Sequence, residues 1–242
     1  MTDYTTETML RQMFSHLELK VNEKQIITMN NYIQLLVEEL QKQRLVGEKK
    51  TENIINKQIY DSLYLLKKVS LKRNSKMLDL GTGGGLPGIP IKIIRQDINI
   101  YLMDSIKKKT AFLREAIKCL SLNNAFVLEG RAEEYAHLKK HRQAYDYVCS
   151  KAVAEINILA ELTLPFIKIG GKAIYYKGPK GNREIETAAE AIELCGGKVN
   201  KSIEYKLPAG ERRVLFITDK NKETPDGYPR AAGKPQKKPL GN

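Results

Sequence analysis

Asp79, Gly81, Gly83 and Gly85 follow one another at alternating positions where a short apolar run ends, in the stretch Lys-Met-Leu-Asp-Leu-Gly-Thr-Gly-Gly-Gly-Leu-Pro-Gly over residues 76–88. Glycine at such positions lets the backbone take positive φ and lets a ligand approach the chain without meeting a Cβ. A strand that empties into a glycine loop and then a helix holds nucleotide-like molecules at the carboxyl edge of an open α/β sheet. A carboxylate at Asp79 can order the loop and face a cationic or amino group.

Two ligands compete for this loop. Asp-x-Gly-x-Gly-x-Gly over Asp79, Gly81, Gly83 and Gly85 resembles the first motif of S-adenosylmethionine-dependent methyltransferases with a Rossmann-like sheet. G-x-G-x-x-G over Gly83, Gly85 and Gly88, with Asp104 closing the next apolar run, is the dinucleotide pattern with its ribose-binding acid roughly 20 residues on. Asp79 ahead of the loop favours the methyl donor. So do Pro87 and Pro90, which would spoil a pyrophosphate cradle at the helix start. Nothing later in the chain reads as a hydride-transfer domain, and a nicotinamide-dependent oxidoreductase stays as the weaker alternative.

Further candidates sit at the ends of the following strands. An acid at Asp104 accepts hydrogen bonds from two ribose hydroxyls, with Ser105 and Ile106 continuing around the ribose and adenine. Ala132 and Glu133 can flank the adenine and bond its edge; Glu133 and Glu134 are equally suited to complement a helix dipole. Ser150 and Lys151 lie just past the fourth strand, where a substrate would meet the methyl group. No Asn/Asp-Pro-Pro-Tyr and no Pro-Cys nucleophile occurs, so exocyclic-amine and cytosine C5 methylation are not signalled. Cys149 reads as core. Guanine N7, with an accessible lone pair, needs neither base nor covalent catalysis and suits a site that works by positioning. His137 and His141, in a Lys-rich stretch without an acid partner pattern, read as solvated side chains rather than a metal site.

These residues need elements to position them. Residues 1–70 read as a helical cap, with Tyr32, Leu35, Leu36 and Leu40, then Ile55, Ile59, Leu63 and Leu66, at helical spacing and a connection at 43–51. Residues 71–220 read as the methyltransferase domain. Strands at 77–80, 100–103, 125–128, 145–149, 172–176 and 214–218 alternate with helices, which is the α/β pattern. Residues 221–242, with Pro225, Pro229, Pro235 and Pro239 among basic residues, read as an extended basic tail.

The 242 residues suffice for one good core. No apolar run approaches the ~20 residues of a membrane helix. Cys119, Cys149 and Cys195 are widely spaced, as for buried reduced thiols in a cytoplasmic protein. The net charge of +13 is concentrated after residue 70, as a polyanionic partner would require. Trp is absent and aromatics are few, which argues against a base-stacking platform.

Taken together, the chain resembles the bacterial small-subunit (16S) ribosomal RNA guanine-N7 methyltransferase family, also called glucose-inhibited division protein B. The resemblance covers nearly the whole length: Tyr60-Asp61-Ser62-Leu63, the run from Leu78 to Pro90, Asp104-Ser105 with Lys108-Lys109, Gly130-Arg131-Ala132-Glu133, residues 150–154, Lys177-Gly178, Glu211-Arg212-Arg213, and Tyr228-Pro229-Arg230 with Lys234-Pro235. It implies methylation of a guanine in the decoding-region loop of 16S rRNA, with S-adenosylmethionine contacts at Gly81, Leu86, Asp104 to Ile106, Ala132, Glu133 and Lys151. Two departures stand out: the family usually has Arg at the position of Lys151 and His at that of Gln58. Lysine keeps the charge but loses the planar fork. Lys151, Lys177, Arg212, Arg213 and Arg230 are the candidates for contact with rRNA or the small subunit. No metal and no membrane are expected, and a monomer is. A non-catalytic RNA-binding or assembly factor that retains the nucleoside pocket is the alternative from another class.

Overall fold

The computed structural model describes residues 2–42, 50–179 and 181–241. It opens with α1 (Thr2–His16) and α2 (Glu23–Lys42), followed by α3 (Thr51–Asn53), a π-helical turn over Ile54–Ile59, and α4 (Tyr60–Lys68). Residues 43–49 of the expected connection lie outside the described residues. These helices form because their apolar side chains recur every three or four positions: Ile26, Met29, Tyr32, Ile33 and Leu36 make one buried stripe on α2.

From there the chain alternates. The order is β1 (Lys76–Leu80), α5 (Gly88–Ile94), β2 (Asn99–Asp104), α6 (Lys107–Cys119), β3 (Ala125–Glu129), α7 (Ala132–Tyr135), β4 (Tyr145–Lys151), α8 (Ile156–Thr163), β5 (Ile167–Lys177), α9 (Gly181–Leu194), β6 (Gly197–Lys206), β7 (Arg212–Lys220) and α10 (Lys234–Lys237). The seven strands form one sheet in the order β3-β2-β1-β4-β5-β7-β6. The first five strands are parallel to one another, and β7 runs antiparallel to both β5 and β6. The strand order reverses at β1, between β2 and β4, which opens a crevice at the carboxyl ends where ligands bind. The antiparallel β7 departs from the all-parallel dinucleotide sheet.

One apolar core joins the N-terminal helices to the sheet: Leu10, Phe14, Tyr32 and Leu36 share it with Met77, Ile91, Ile100 and Phe112. The opposite face carries a second core in which Leu78, Val148 and Phe216 meet Ile156, Leu159, Ala188 and Ile192 of α8 and α9.

Three expectations are corrected. The strand β6 has no counterpart among the six expected ones; it is an edge strand whose residues are mostly exposed, so lysines that protect an edge mask its pattern. The C-terminal segment is no extended arm. Residues 221–241 lie against the body, with Arg142 donating to the carbonyls of Thr224 and Tyr228 at 2.7 and 2.9 Å. Of the two histidines expected to be solvated, His137 is exposed and His141 is not. His141 is buried and its Nδ1 lies 2.7 Å from the Tyr145 hydroxyl, while His137 donates through Nε2 to the Pro229 carbonyl at 2.8 Å. Of the three thiols, Cys149 and Cys195 are buried and Cys119 is exposed.

Candidate functional site

The glycine loop leaves β1 with Gly81 and Thr82 both donating to the Met103 carbonyl, at 2.9 and 3.0 Å. This ties the loop to the end of β2. Gly81, Gly83 and Gly85 have φ of +74°, +58° and +97°, so alternation of glycine is a backbone requirement here. A Cβ on Gly81 would also stand 2.5 Å from Val153 Cγ2. Asp79 is fully buried beneath the loop. Its Oδ2 accepts from Thr82 Oγ1 at 2.6 Å and from the Gly88 amide at 2.7 Å, at the start of α5. The carboxylate therefore builds the loop and complements a helix N-terminus; it does not reach the cavity, contrary to the ligand-facing role expected of it.

Burial pushes Asp79 up to about 6, against the pull of Thr82, Gly88 and Lys151. A folded value above the unfolded one means that the protonated form is favoured in the fold. That stabilisation is full below the ordinary carboxylate value and is lost as pH rises through about 6. Asp79→Asn keeps an acceptor for Thr82 and Gly88 but cannot ionise. Its stability relative to the native chain should therefore climb by about 2–2.5 kcal/mol between pH 4 and pH 7. Urea unfolding of both proteins across that range checks this, and parallel pH profiles would refute it.

A residue that motif reading passed over holds the loop from above. Tyr32 of α2, wholly buried, donates its hydroxyl to the Gly84 carbonyl at 2.8 Å. Tyr32→Phe leaves that carbonyl without its donor and is expected to cost about 1–2 kcal/mol in denaturant unfolding.

Asp104 closes β2 and is 7 % exposed. Its Oδ2 accepts from the Gly83 amide and its Oδ1 from the Ile106 amide, both at 3.0 Å. Two carboxylate oxygens offer about four lone-pair positions, so both can still accept from a ribose diol. Beside it lies a cavity of about 300 Å³. Of the residues expected to meet the donor, Gly81, Asp104, Ser105, Ala132 and Glu133 line it, and Leu80, Met103, Ile158 and Leu162 add an apolar wall. Carboxylate, Cβ-free backbone and apolar wall together fit an adenosine with an aliphatic extension. Asp79, Gly83, Gly85, Leu86, Ile106 and Lys151 are not among the lining residues. Gly83 and Gly85 shape the loop, and Ile106 supplies an amide to Asp104. Gly130, Arg131 and the distant Gly233, Pro235 and Gln236 also line the cavity, and no spacing signal links the last three to the loop.

Lys151 is placed apart from the cavity. Its side chain is 9 % exposed and its ammonium lies 3.4 Å from Asp61 Oδ2, donating also to the Gln58 carbonyl at 3.1 Å and Ser62 Oγ at 3.3 Å. Burial holds its pKa below the usual lysine range, opposed by Asp61. Tyr205 donates to Asp61 Oδ1 and stacks on Tyr64 with ring centres 3.8 Å apart. Lys151 thus pins the π-turn and α4 to the end of β4. Its partners in the structure are internal, whereas a donor or RNA contact is the expectation from the sequence. Lys177 and Arg230 are likewise paired with carboxylates of the chain. Lys177 pairs with Glu184 at 2.6 Å and donates to the Ala154 carbonyl at 2.7 Å. Arg230 forks onto the fully buried Glu161, with contacts from 2.6 to 3.2 Å. Arg212 and Arg213 line a separate surface groove with Glu204, Tyr205 and Lys206. Among the described residues, no group of three or more His, Cys, Asp or Glu could hold a metal, and no helix is long and apolar enough to cross a membrane.

A family model described as rRNA small subunit methyltransferase G matches residues 25–214. The chain belongs to this family. The ribosomal RNA small subunit methyltransferase G of Desulforamulus reducens is 40% identical over 96% of the chain and 97% of its own length. That of Lachnoclostridium phytofermentans is 43% identical, covering 93% of each. Among solved structures, the Methanococcus jannaschii fibrillarin pre-rRNA processing protein superposes with a TM-score of 0.51 at 22% identity, covering 70% of this chain and 73% of that one. This likeness speaks to the fold alone, a Rossmann-like α/β sheet. The residues matched by the methyltransferase G model include the glycine loop, Asp104, Ala132, Glu133 and the Lys151 cluster.

Proposed function

We propose that the protein transfers a methyl group from S-adenosylmethionine to N7 of a guanine in the decoding-region loop of 16S rRNA, acting as a monomer in the cytoplasm. The observation that carries this reading is the cavity at the strand-order reversal, with Asp104 at one side and the Cβ-free Gly81 at the other, in a chain of this family. When bound, the donor supplies an electrophilic methyl on a sulfonium, whose departure as a neutral thioether needs no protein acid. The protein's part is to hold and orient. Asp104 would take the ribose hydroxyls, Leu80, Met103 and Ala132 the adenine, and Glu133 its edge. Lys151 fixes the helical wall beside the end of β4, where the base would enter. Rate enhancement then rests on alignment of the guanine lone pair with the methyl.

Arg212 and Arg213, in the groove beside Lys206, are the proposed phosphate contacts. Arg212→Glu with Arg213→Glu should weaken binding to small subunits and lower the salt slope by about 1–2. An unchanged slope would remove the assignment. The function itself is tested by incubating the purified chain and S-adenosylmethionine with small subunits lacking the modification, then mapping 7-methylguanine by chemical cleavage. Donor binding without transfer to any subunit or RNA substrate would favour the assembly-factor reading. Calorimetric preference for a nicotinamide dinucleotide would overturn both.

A further inference from the structure

We infer that the C-terminal segment, residues 228–238, is a strap that forms one wall of the donor cavity and sets donor affinity. This rests on the donor reading of that cavity. Gly233, Pro235 and Gln236 line the same cavity as Gly81 and Asp104, although they lie more than a hundred residues downstream in the sequence. Their placement is built. Ahead of them, His137 holds the Pro229 carbonyl and Arg142 the Tyr228 carbonyl. Arg230 then clamps the strap to Glu161 on α8, and its own amide donates to the same carboxylate at 2.7 Å. Glu161 has no exposure at all, and its carboxylate accepts from both the amide and the guanidinium of Arg230.

Gly233, at φ +77°, turns the chain so that its amide donates to Glu133 Oε1 at 2.9 Å. The carboxylate expected to meet the adenine edge is thereby oriented by the strap. The short helix α10 is two-faced: Pro235 is buried, while Lys234, Lys237 and Lys238 are exposed. An apolar ring facing the cavity and charges facing water are what a pocket wall needs, and a solubilising tail needs neither anchor. Without the strap the adenine end of the cavity would open to solvent and Glu133 would lose its fixed partner.

The test is calorimetric titration of the full chain with S-adenosylhomocysteine, read beside unfolding of the ligand-free protein. Pro235→Gly with Gln236→Ala removes wall contacts and leaves the Arg230 clamp in place. Donor-product affinity is expected to fall more than tenfold. Gln236→Ala alone, which changes no backbone preference of the strap, should fall more than threefold and serves if the double variant unfolds. Lys237→Ala, on the outer face, should stay within twofold. Affinities of both wall variants within threefold of the native chain would overturn the strap. A native chain that takes up no S-adenosylhomocysteine would instead sink the donor reading itself.

Discussion

Arg230→Ala is expected to lose about 3–4 kcal/mol of folding stability, among the largest effects of a single side chain in this protein. The guanidinium forms three contacts with Glu161, and the carboxylate is fully buried on α8. Truncation leaves that charge, among the described residues, with the Arg230 amide as donor, and a buried charge without its counterion costs several kcal/mol. The magnitude is set at the lower end because the Arg230 side chain is itself 19% exposed. Urea unfolding measures the loss. Adding Glu161→Gln to Arg230→Ala removes the stranded charge, so the double variant should recover about half of it or more. If it is no more stable than Arg230→Ala, the pair does not act through burial of charge. Cleavage of the C-terminal segment by trypsin should rise in parallel in Arg230→Ala.

The second large effect is on ligand binding. Asp104→Ala should weaken S-adenosylmethionine at least 100-fold, because two charge-assisted hydrogen bonds to the ribose, each worth about 1.5–3 kcal/mol, are lost together. The ligand-free fold should suffer less, by about 1–2 kcal/mol, since only the exchange of two amide contacts is affected. Asp104→Asn keeps one acceptor and should fall between, near 10-fold. Calorimetry with the three proteins decides it, and a Kd for Asp104→Ala within threefold of native would remove Asp104 from the site.

The sheet was legible because its signals are local. Each inner strand is rich in apolar residues over a short stretch, and the glycine loop announces a backbone conformation that other residues resist. The same logic failed where partners come from elsewhere. β6 hides behind the lysines of an edge. Lys151, Lys177 and Arg230 look alike in sequence to Arg212 and Arg213, but the first three each meet a carboxylate from another element. A cation's role is decided by its partner, and no spacing rule names that partner.

What the chain's order of residues determined, taken alone, was an α/β sheet, a glycine turn that demands positive φ, an acid closing β2, and membership of a recognisable family. Tertiary structure alone decided that Asp79 builds the loop from beneath and that Tyr32 of α2 ties down Gly84. It also brought a proline and a glutamine from the C-terminal segment into the donor cavity. The physical reason is range. Backbone preference and apolar periodicity act over a few neighbours, whereas pairing of buried charge and filling of a cavity join residues about 70 to 150 positions apart.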